Sequence, residues 1–147
     1  MQPFRFAVQA TSAKEWRDTA RSVQDLGYAT LFLADHYLGP GPAQRESRWP
    51  PQPLAPIAAL AAAAAWTSEL RVGCRVFCVD YHVPAVLAKE AATIDLLSDG
   101  RLEFGIGAGW SQSEYLPGHP YDQARSSNNG QPEINGEGGS SGQQQGE

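Results

Sequence analysis

The stretch Thr30-Leu-Phe-Leu-Ala-Asp-His36 decides the fold class of this chain. Its first five residues are apolar or β-branched, and it ends abruptly in an acid and a histidine. An uninterrupted apolar strand is typical of a parallel sheet covered by helices on both faces. We therefore predict an α/β fold in which Asp35 and His36 stand at the carboxyl end of a buried strand.

Similar runs recur on both sides of this stretch and alternate with helical patterns. The predicted strands are residues 4–9, 30–36, 70–79 and 101–106, and the predicted helices are residues 13–26, 54–67 and 84–97. Strands that alternate with helices of this length require right-handed crossovers and a parallel sheet. Because ligands meet such sheets at the carboxyl ends of the strands, the polar residues there are the first candidates for a site.

The last 22 residues have a different composition. Residues 126–147 hold six Gly, four Gln and four Ser with one apolar side chain, Ile134, and they carry −3 of the formal charge of −5. Such a segment buries too little apolar surface to offset the entropy of ordering. We predict one folded domain over residues 1–122 and a disordered tail over residues 123–147. A full eight-stranded α/β barrel needs roughly 250 residues, so we expect about four β/α units.

Charge and hydropathy argue against two classes of partner. No cluster of Lys and Arg marks a nucleic-acid surface. The most apolar run, residues 54–66, is mostly alanine and too short to span a bilayer. The first residues show no charged start followed by an apolar stretch, so no secretion signal is visible and we expect a cytoplasmic protein without nucleic-acid or membrane partners.

The pair Asp35-His36 is the best candidate for chemistry. Successive strand residues point to opposite faces, so only one of the two enters the mouth of the sheet if the strand is regular. His36 could donate a proton or hydrogen-bond a bound ring, and Asp35 could fix its tautomer or cap the next segment. The alternative is an ordinary polar end of a strand.

Glycines in two strands form the second candidate. The sequence Gly105-Ile-Gly-Ala-Gly109 follows the fourth strand, but Trp110 stands where a dinucleotide fingerprint has its third glycine. Either a structural turn or close approach of the backbone to a flat ligand explains it. In strand three, Gly73 indicates a bulge or a ligand-facing backbone, and Arg75 needs a partner or a polar cavity.

The remaining polar residues favour structural roles. Cys74 and Cys78 on one strand would lie about 13 Å apart, too far for a disulfide, and are expected to be buried thiols, with a backbone or ligand role for Cys74 as the alternative. No spacing of His and Cys predicts a metal site. We expect His82 and His119 to be a cap and a loop residue, and Glu114 and Tyr115 to lie at the surface unless they close over a ligand.

In this order, these segments resemble the luciferase-like monooxygenase superfamily, in particular the F-420-dependent (deazaflavin) oxidoreductases. The resemblance covers residues 3–122 and is carried by several short segments: Phe4-Arg-Phe-Ala-Val-Gln9, Ala34-Asp-His36, Leu70-Arg-Val-Gly73, Pro84-Ala-Val-Leu-Ala-Lys-Glu-Ala-Ala-Thr-Ile-Asp95, Ser98-Asp-Gly-Arg101, Leu102-Glu-Phe-Gly-Ile-Gly-Ala-Gly-Trp110 and Ser113-Glu-Tyr115.

The resemblance implies the N-terminal half of a TIM (β/α)8 barrel that holds coenzyme F-420, or as the alternative FMN, at the carboxyl ends of its strands. It implies hydride transfer between the reduced cofactor and a small organic substrate, with oxygen chemistry if the cofactor is FMN. His36 would lie beside the ring with Asp35 as its neighbour. The cofactor would contact Gly73, Cys74, Arg75, Gly107, Ala108 and Gly109, and a non-prolyl cis peptide would fall near Cys74-Arg75.

The resemblance also leaves alternatives for the chain as a whole. Strands five to eight of the barrel have no counterpart in the sequence, so a homodimer or a partner that supplies the second half could complete a working oxidoreductase. A truncated, inactive fragment and a non-catalytic interaction module are the other hypotheses. Neither the cofactor nor the substrate follows from the sequence alone.

Overall fold

A computed structural model describes residues 4–37, 50, 52–109 and 114. The described elements, in chain order, are β1 (Ala7–Gln9), α1 (Trp16–Asp25), β2 (Thr30–Leu33), α2 (Pro56–Trp66), β3 (Arg71–Cys74), β4 (Phe77–Cys78), a 3-10 turn (Val79–Tyr81), α3 (Pro84–Leu97), β5 (Leu102–Glu103) and β6 (Ile106–Gly107). The predicted tail over residues 123–147 lies outside the described residues, as do His119, Tyr115 and Trp110.

The strands form two parallel sheets. Four strands pair in the order β1-β2-β3-β5, and β4 pairs with β6 in a second, two-stranded sheet. The prediction of a parallel α/β fold with alternating strands and helices is confirmed. Within the described residues no helix is long and apolar enough to cross a membrane.

The core lies between the four-stranded sheet and the helices. Leu31, Val72 and Leu60 are almost fully buried there, and α2 contributes small side chains such as Ala63 that let it approach the strands closely. The indole Nε1 of Trp16 donates to the carbonyl of Ala59 at 3.0 Å, which ties α1 to α2. Paired residues of parallel strands face the same way, so Phe32 and its partner Gly73 share one face of the sheet, opposite to the face of Leu31 and Val72.

Two side chains close the ends of the strands opposite the predicted site. The Oε1 of Gln24 accepts from the backbone N–H groups of Ser68, Glu69 and Leu70, at 2.8 to 3.3 Å. The guanidinium of Arg101 donates to the carbonyls of Ala64 and Leu70 at 2.8 and 2.7 Å. The αβ turns before β3 and β5 are therefore held by hydrogen bonds as well as by packing.

The third and fourth predicted strands, residues 70–79 and 101–106, are each interrupted. The third forms β3 and β4, and the fourth forms β5 and β6. The peptide bond Arg75–Val76 is cis, one bond beyond the position that the resemblance implied. Arg75 still bonds through its N–H to the carbonyl of Leu33, but Phe77 bonds to the carbonyl of Gly105, so the pairing changes sheets at this point. The prediction of one continuous strand over residues 70–79 was wrong because the local apolar pattern does not record this change of partner. The break places residues 75–78 at the carboxyl end of β2.

Candidate active site

The carboxyl ends of β2, β3 and β6 meet around a cavity of about 240 Å³. The predicted residues Asp35, His36 and Arg75 line it together with the backbone segment 107–109. The other described residues along the cavity are Val76, Cys78 and Tyr81. Six of the eight residues predicted for the site are thus brought together by the fold.

His36 is anchored by a carboxylate that is distant in sequence. Its Nδ1 lies 2.7 Å from the Oε2 of Glu114, and both side chains are largely buried, with 12% and 1% of their surface exposed. The same Oε2 accepts from the hydroxyl of Tyr81 at 3.1 Å, and Oε1 accepts from the N–H of Tyr37 at 2.6 Å. The expectation that Glu114 lies at the surface was therefore wrong. Nothing local in the sequence around residue 114 signals this contact.

The surroundings of Glu114 favour its charged form. Burial alone raises the pKa of the carboxyl, but the hydrogen bond and charge of His36, with the donors of Tyr37 and Tyr81, outweigh that effect and leave the pKa below its usual range. A buried carboxylate with three donors is satisfied, whereas an unpaired one would carry a large desolvation cost.

Among the hydrogen bonds of the described residues, none joins Asp35 to the imidazole of its neighbour His36. Its Oδ2 lies 2.7 Å from the Nε2 of His82 and accepts from the backbone N–H of Cys78 at 2.9 Å. The carboxyl side chain is 3% exposed. The interpretation that Asp35 fixes the tautomer of His36 was wrong, since strand geometry turns the two side chains apart. His82, expected to be a simple cap, is the partner that sequence reasoning missed.

The glycines of β6 are required by packing. A Cβ atom on Gly107 would lie 2.7 Å from the Cγ2 of Val76, and one on Gly105 would lie 3.0 Å from its Cγ1. Gly109 has a positive φ of 71°, which disfavours side chains. The backbone of this segment therefore forms a nearly bare wall of the cavity, as a flat ligand would need.

Gly73 and Cys74 lie outside the group of residues that line the cavity. A Cβ on Gly73 would lie 2.6 Å from the carbonyl oxygen of Glu103 and 2.7 Å from the Phe32 ring, so close approach of strands explains this glycine. Cys74 is 1% exposed, and its burial, with the nearby charge of Asp35, raises the pKa of its thiol far above the usual range. Both cysteines are buried and neither forms a disulfide, as predicted.

A second cavity, of about 460 Å³, lies against the first. It shares Asp35 and His36 and is otherwise lined by the start of α2, by His82 and by Glu90. Asp35 and His36 therefore form a partition between two spaces. In the described part of the chain, no three His, Cys, Asp or Glu side chains are grouped closely enough to hold a metal ion.

The parallel strands alternate with helices, and the cavity lies at the carboxyl ends of the strands, where α/β proteins commonly hold their ligands. Residues 2–127 match the family model described as luciferase-like monooxygenase, and the chain belongs to that family. The resemblance seen in the sequence is thereby confirmed.

Two curated relatives illustrate the range of the family. An uncharacterized protein of Mycobacterium tuberculosis (strain ATCC 25618 / H37Rv) is 33% identical over 109 residues, which cover 66% of this chain and 38% of the relative. An F420-dependent glucose-6-phosphate dehydrogenase of Amycolatopsis mediterranei is 27% identical over 112 residues, 76% of this chain and 32% of that enzyme. The chain thus spans less than two fifths of the length of these relatives.

A solved structure supports the fold. The oxygenating constituent of 3,6-diketocamphane monooxygenase from Pseudomonas putida, in complex with FMN, superposes with a TM-score of 0.61 at 18% identity, covering 82% of this chain and 33% of that one. At this identity the likeness concerns the fold alone. The described β/α units correspond to part of a luciferase-like TIM barrel.

Proposed function

We propose that the cavity beside His36 binds the ring of a flavin-type cofactor, coenzyme F-420 in preference to FMN, and that the chain takes part in hydride transfer with a small organic substrate. The observation that carries the proposal is that His36 lines the same cavity as residues 107–109, where Gly107 and Gly109 have no side chain. A cofactor of this type would supply or accept the hydride.

The lining residues fit one flat ring better than a whole cofactor. At about 240 Å³ the cavity is smaller than the roughly 300–1,000 Å³ typical of ligand sites, so it suits a ring-sized portion. Gly107 and Gly109 permit close approach of the ring to the backbone. Arg75 adds a positive charge at the rim, which suits electron-rich oxygens on a ring.

His36 would manage the proton that accompanies hydride transfer. When a hydride leaves a substrate carbon that bears a hydroxyl group, the hydroxyl proton must go to a base, and the reverse reaction needs the same proton returned. An imidazole at this position would take up that proton and return it in the reverse reaction. The substrate is then oxidised by two electrons, and the cofactor gains them with the hydride.

The preference for F-420 rests on family relations. The Amycolatopsis enzyme, at 27% identity, is named for its dependence on F420. FMN, with the oxygen chemistry of a monooxygenase, is the alternative that the family name itself favours.

The test is titration of the purified chain with oxidised F-420 and, separately, with FMN, followed by cofactor fluorescence. We expect saturable binding with a lower Kd for F-420, and His36→Asn should leave that Kd within about threefold while reducing proton-coupled turnover by about 10²–10⁴-fold. Absence of binding for both cofactors would contradict the proposal, and tighter binding of FMN would replace F-420 with the alternative.

We also propose that a second copy of this chain covers part of the sheet. Among the described strands β1 and β5 are outermost, and the apolar side chains Phe104, Ile106 and Val83 near β5 and β6 are 50%, 58% and 65% exposed. Exposed apolar patches and strand edges favour association. Size-exclusion chromatography with light scattering should show a dimer, and Phe104→Ser with Ile106→Ser should shift it to monomer; a wild-type monomer would contradict this.

A further inference from the structure

Three donors from two separate segments converge on Glu114. The His36 ring and the Tyr37 N–H come from the end of β2, and the Tyr81 hydroxyl comes from the 3-10 turn after β4. The carboxylate is 1% exposed, so these contacts replace its hydration. A group buried in this way holds its partners in fixed positions rather than contributing a surface charge.

The donors determine which nitrogen of His36 carries the proton. The Tyr37 amide can only donate, and it occupies Oε1, so the carboxyl group accepts there. The ionised form of Glu114 is acceptor-only, and Nδ1 of His36 at 2.7 Å from Oε2 must then be the donor. In the neutral ring the single proton lies on Nδ1, and Nε2 is left as the basic nitrogen.

Neither Asp35 nor Glu90, the carboxylates among the described residues that line the two cavities, takes this role. Asp35, the neighbour of His36 in sequence, is engaged with His82 and with the N–H of Cys78. Glu90 lines the larger cavity on the far side of the partition that Asp35 and His36 form. Arg75 and Tyr81 also line the smaller cavity, but neither side chain is a carboxylate.

We propose that Glu114 is the positioning residue of the site, which holds His36 as the Nδ1–H tautomer so that Nε2 exchanges the substrate proton. This inference rests on the proposed role of His36 in proton transfer. Glu114 itself touches neither substrate nor cofactor in this scheme. Its hydrogen bonds to Tyr37 and Tyr81 keep the carboxylate from rotating away from the ring.

The tautomer can be measured in the full chain without any cofactor. Nitrogen-15 NMR of the His36 imidazole, assigned by its loss in His36→Asn, distinguishes the Nδ1–H and Nε2–H forms at a pH where the ring is neutral. We expect wild type to show predominantly Nδ1–H, and Glu114→Gln to reduce the population of that form severalfold. Tyr81→Phe removes one donor but keeps the carboxylate, so it should retain the wild-type tautomer.

Two controls separate positioning from general destabilisation. Glu69→Gln removes an exposed carboxylate elsewhere and should leave the tautomer unchanged, and circular dichroism should show that each variant is folded. If Glu114→Gln does not fold, the wild-type spectrum still decides, because a predominant Nε2–H form in wild type overturns the proposal. A wild-type tautomer in folded Glu114→Gln overturns it as well.

The readout also distinguishes this inference from the proposed function. Cofactor titration tests the function, whereas the tautomer is measured with no cofactor present. A chain with the Nδ1–H tautomer that binds neither F-420 nor FMN would overturn the proposed function and leave the positioning of the ring demonstrated. A chain that binds a cofactor but shows the Nε2–H tautomer would overturn the positioning role of Glu114 and leave the proposed function supported.

Discussion

The carboxylate of Asp35 is hydrogen-bonded to His82, 47 residues away, although His36 is its neighbour in the chain. The two adjacent residues at the end of β2 therefore belong to two different pairs, Asp35 with His82 and His36 with Glu114. One pair closes the junction between β2 and β4, and the other orients the ring that faces the cavity. This division leads to different expectations for the two histidines.

Substitution of Asp35 should lower the stability of the fold. Asp35→Asn keeps an acceptor for the Cys78 N–H but removes the negative charge beside His82, so we expect a loss of about 1–3 kcal/mol in the free energy of unfolding. Urea denaturation at neutral pH measures it. The exposed Asp25→Asn is the matched control and should change the value by less than about 0.5 kcal/mol. An equal loss of unfolding free energy in Asp35→Asn and Asp25→Asn would contradict the pairing of Asp35 with His82.

Substitution of His82 should mainly lower stability, whereas substitution of His36 should mainly lower turnover. Removal of His82 leaves Asp35 with one fewer partner in a buried site, so His82→Asn should lower the free energy of unfolding by about 1–2 kcal/mol. His36→Asn should instead reduce turnover by about 10²–10⁴-fold, the usual contribution of general acid–base catalysis. Urea melts and steady-state rates on both variants provide the comparison. Loss of turnover only in His82→Asn would reverse the assignment.

The surroundings of Gly73 and Gly107 predict different losses of stability when each is replaced by alanine. Gly73→Ala places a Cβ against the carbonyl of Glu103 and the Phe32 ring, which cannot both move aside, so a loss of about 3 kcal/mol or more is expected. Gly107→Ala meets only a methyl of Val76, which is 42% exposed, and should cost about 1 kcal/mol. Adding Val76→Ala should recover the second loss and not the first. Thermal or urea melts of the single and double variants test this.

The pH dependence of stability should contain a contribution from Glu114. Because its folded-state pKa is lowered, the unfolded chain binds more protons than the folded chain near the ordinary Glu pKa of about 4.3. The stabilisation is therefore present above that pH and is lost as the pH falls through the folded-state value. The difference in unfolding free energy between wild type and Glu114→Gln should shrink from pH 7 towards pH 3. A difference that grows on acidification would contradict the sign.

The thiol of Cys74 should resist alkylation. Its burial and raised pKa leave almost no thiolate at neutral pH, and the thiolate is the reactive form. Mass spectrometry after iodoacetamide treatment should find Cys74 unmodified in the native chain and modified in urea. Rapid native labelling of Cys74 would show that β3 opens at its carboxyl end.

Local patterns in the sequence predict the order of elements well. Strand β2 begins at Thr30 as predicted but ends at Leu33 instead of residue 36, and α3 has the predicted bounds. Asp35, His36 and Arg75 were likewise found at one cavity. These features depend on periodicity and on the rule that parallel strands present their carboxyl ends together.

The hydrogen-bond partners of Asp35 and His36 could not be predicted in the same way. Glu114 is 78 residues from His36, and His82 is 47 residues from Asp35, so no window of sequence contains either pair. The interruption at Arg75–Val76 arises because β4 pairs with β6 and not with β2. Such contacts depend on how whole units pack, which hydrophobic patterning does not encode.

The hydrogen bonds of Gln24 and Arg101 lie at the opposite ends of the strands from His36. They fasten the turns that enter β3 and β5 with neutral or cationic groups that take no part in chemistry. Residues at the two ends of the strands can therefore vary under different constraints. The amino-terminal ends must keep the hydrogen bonds that hold the turns. The carboxyl-terminal ends can exchange lining residues to suit a new ligand. A chain built in this way can acquire a different substrate without redesign of the turns on which its strands depend.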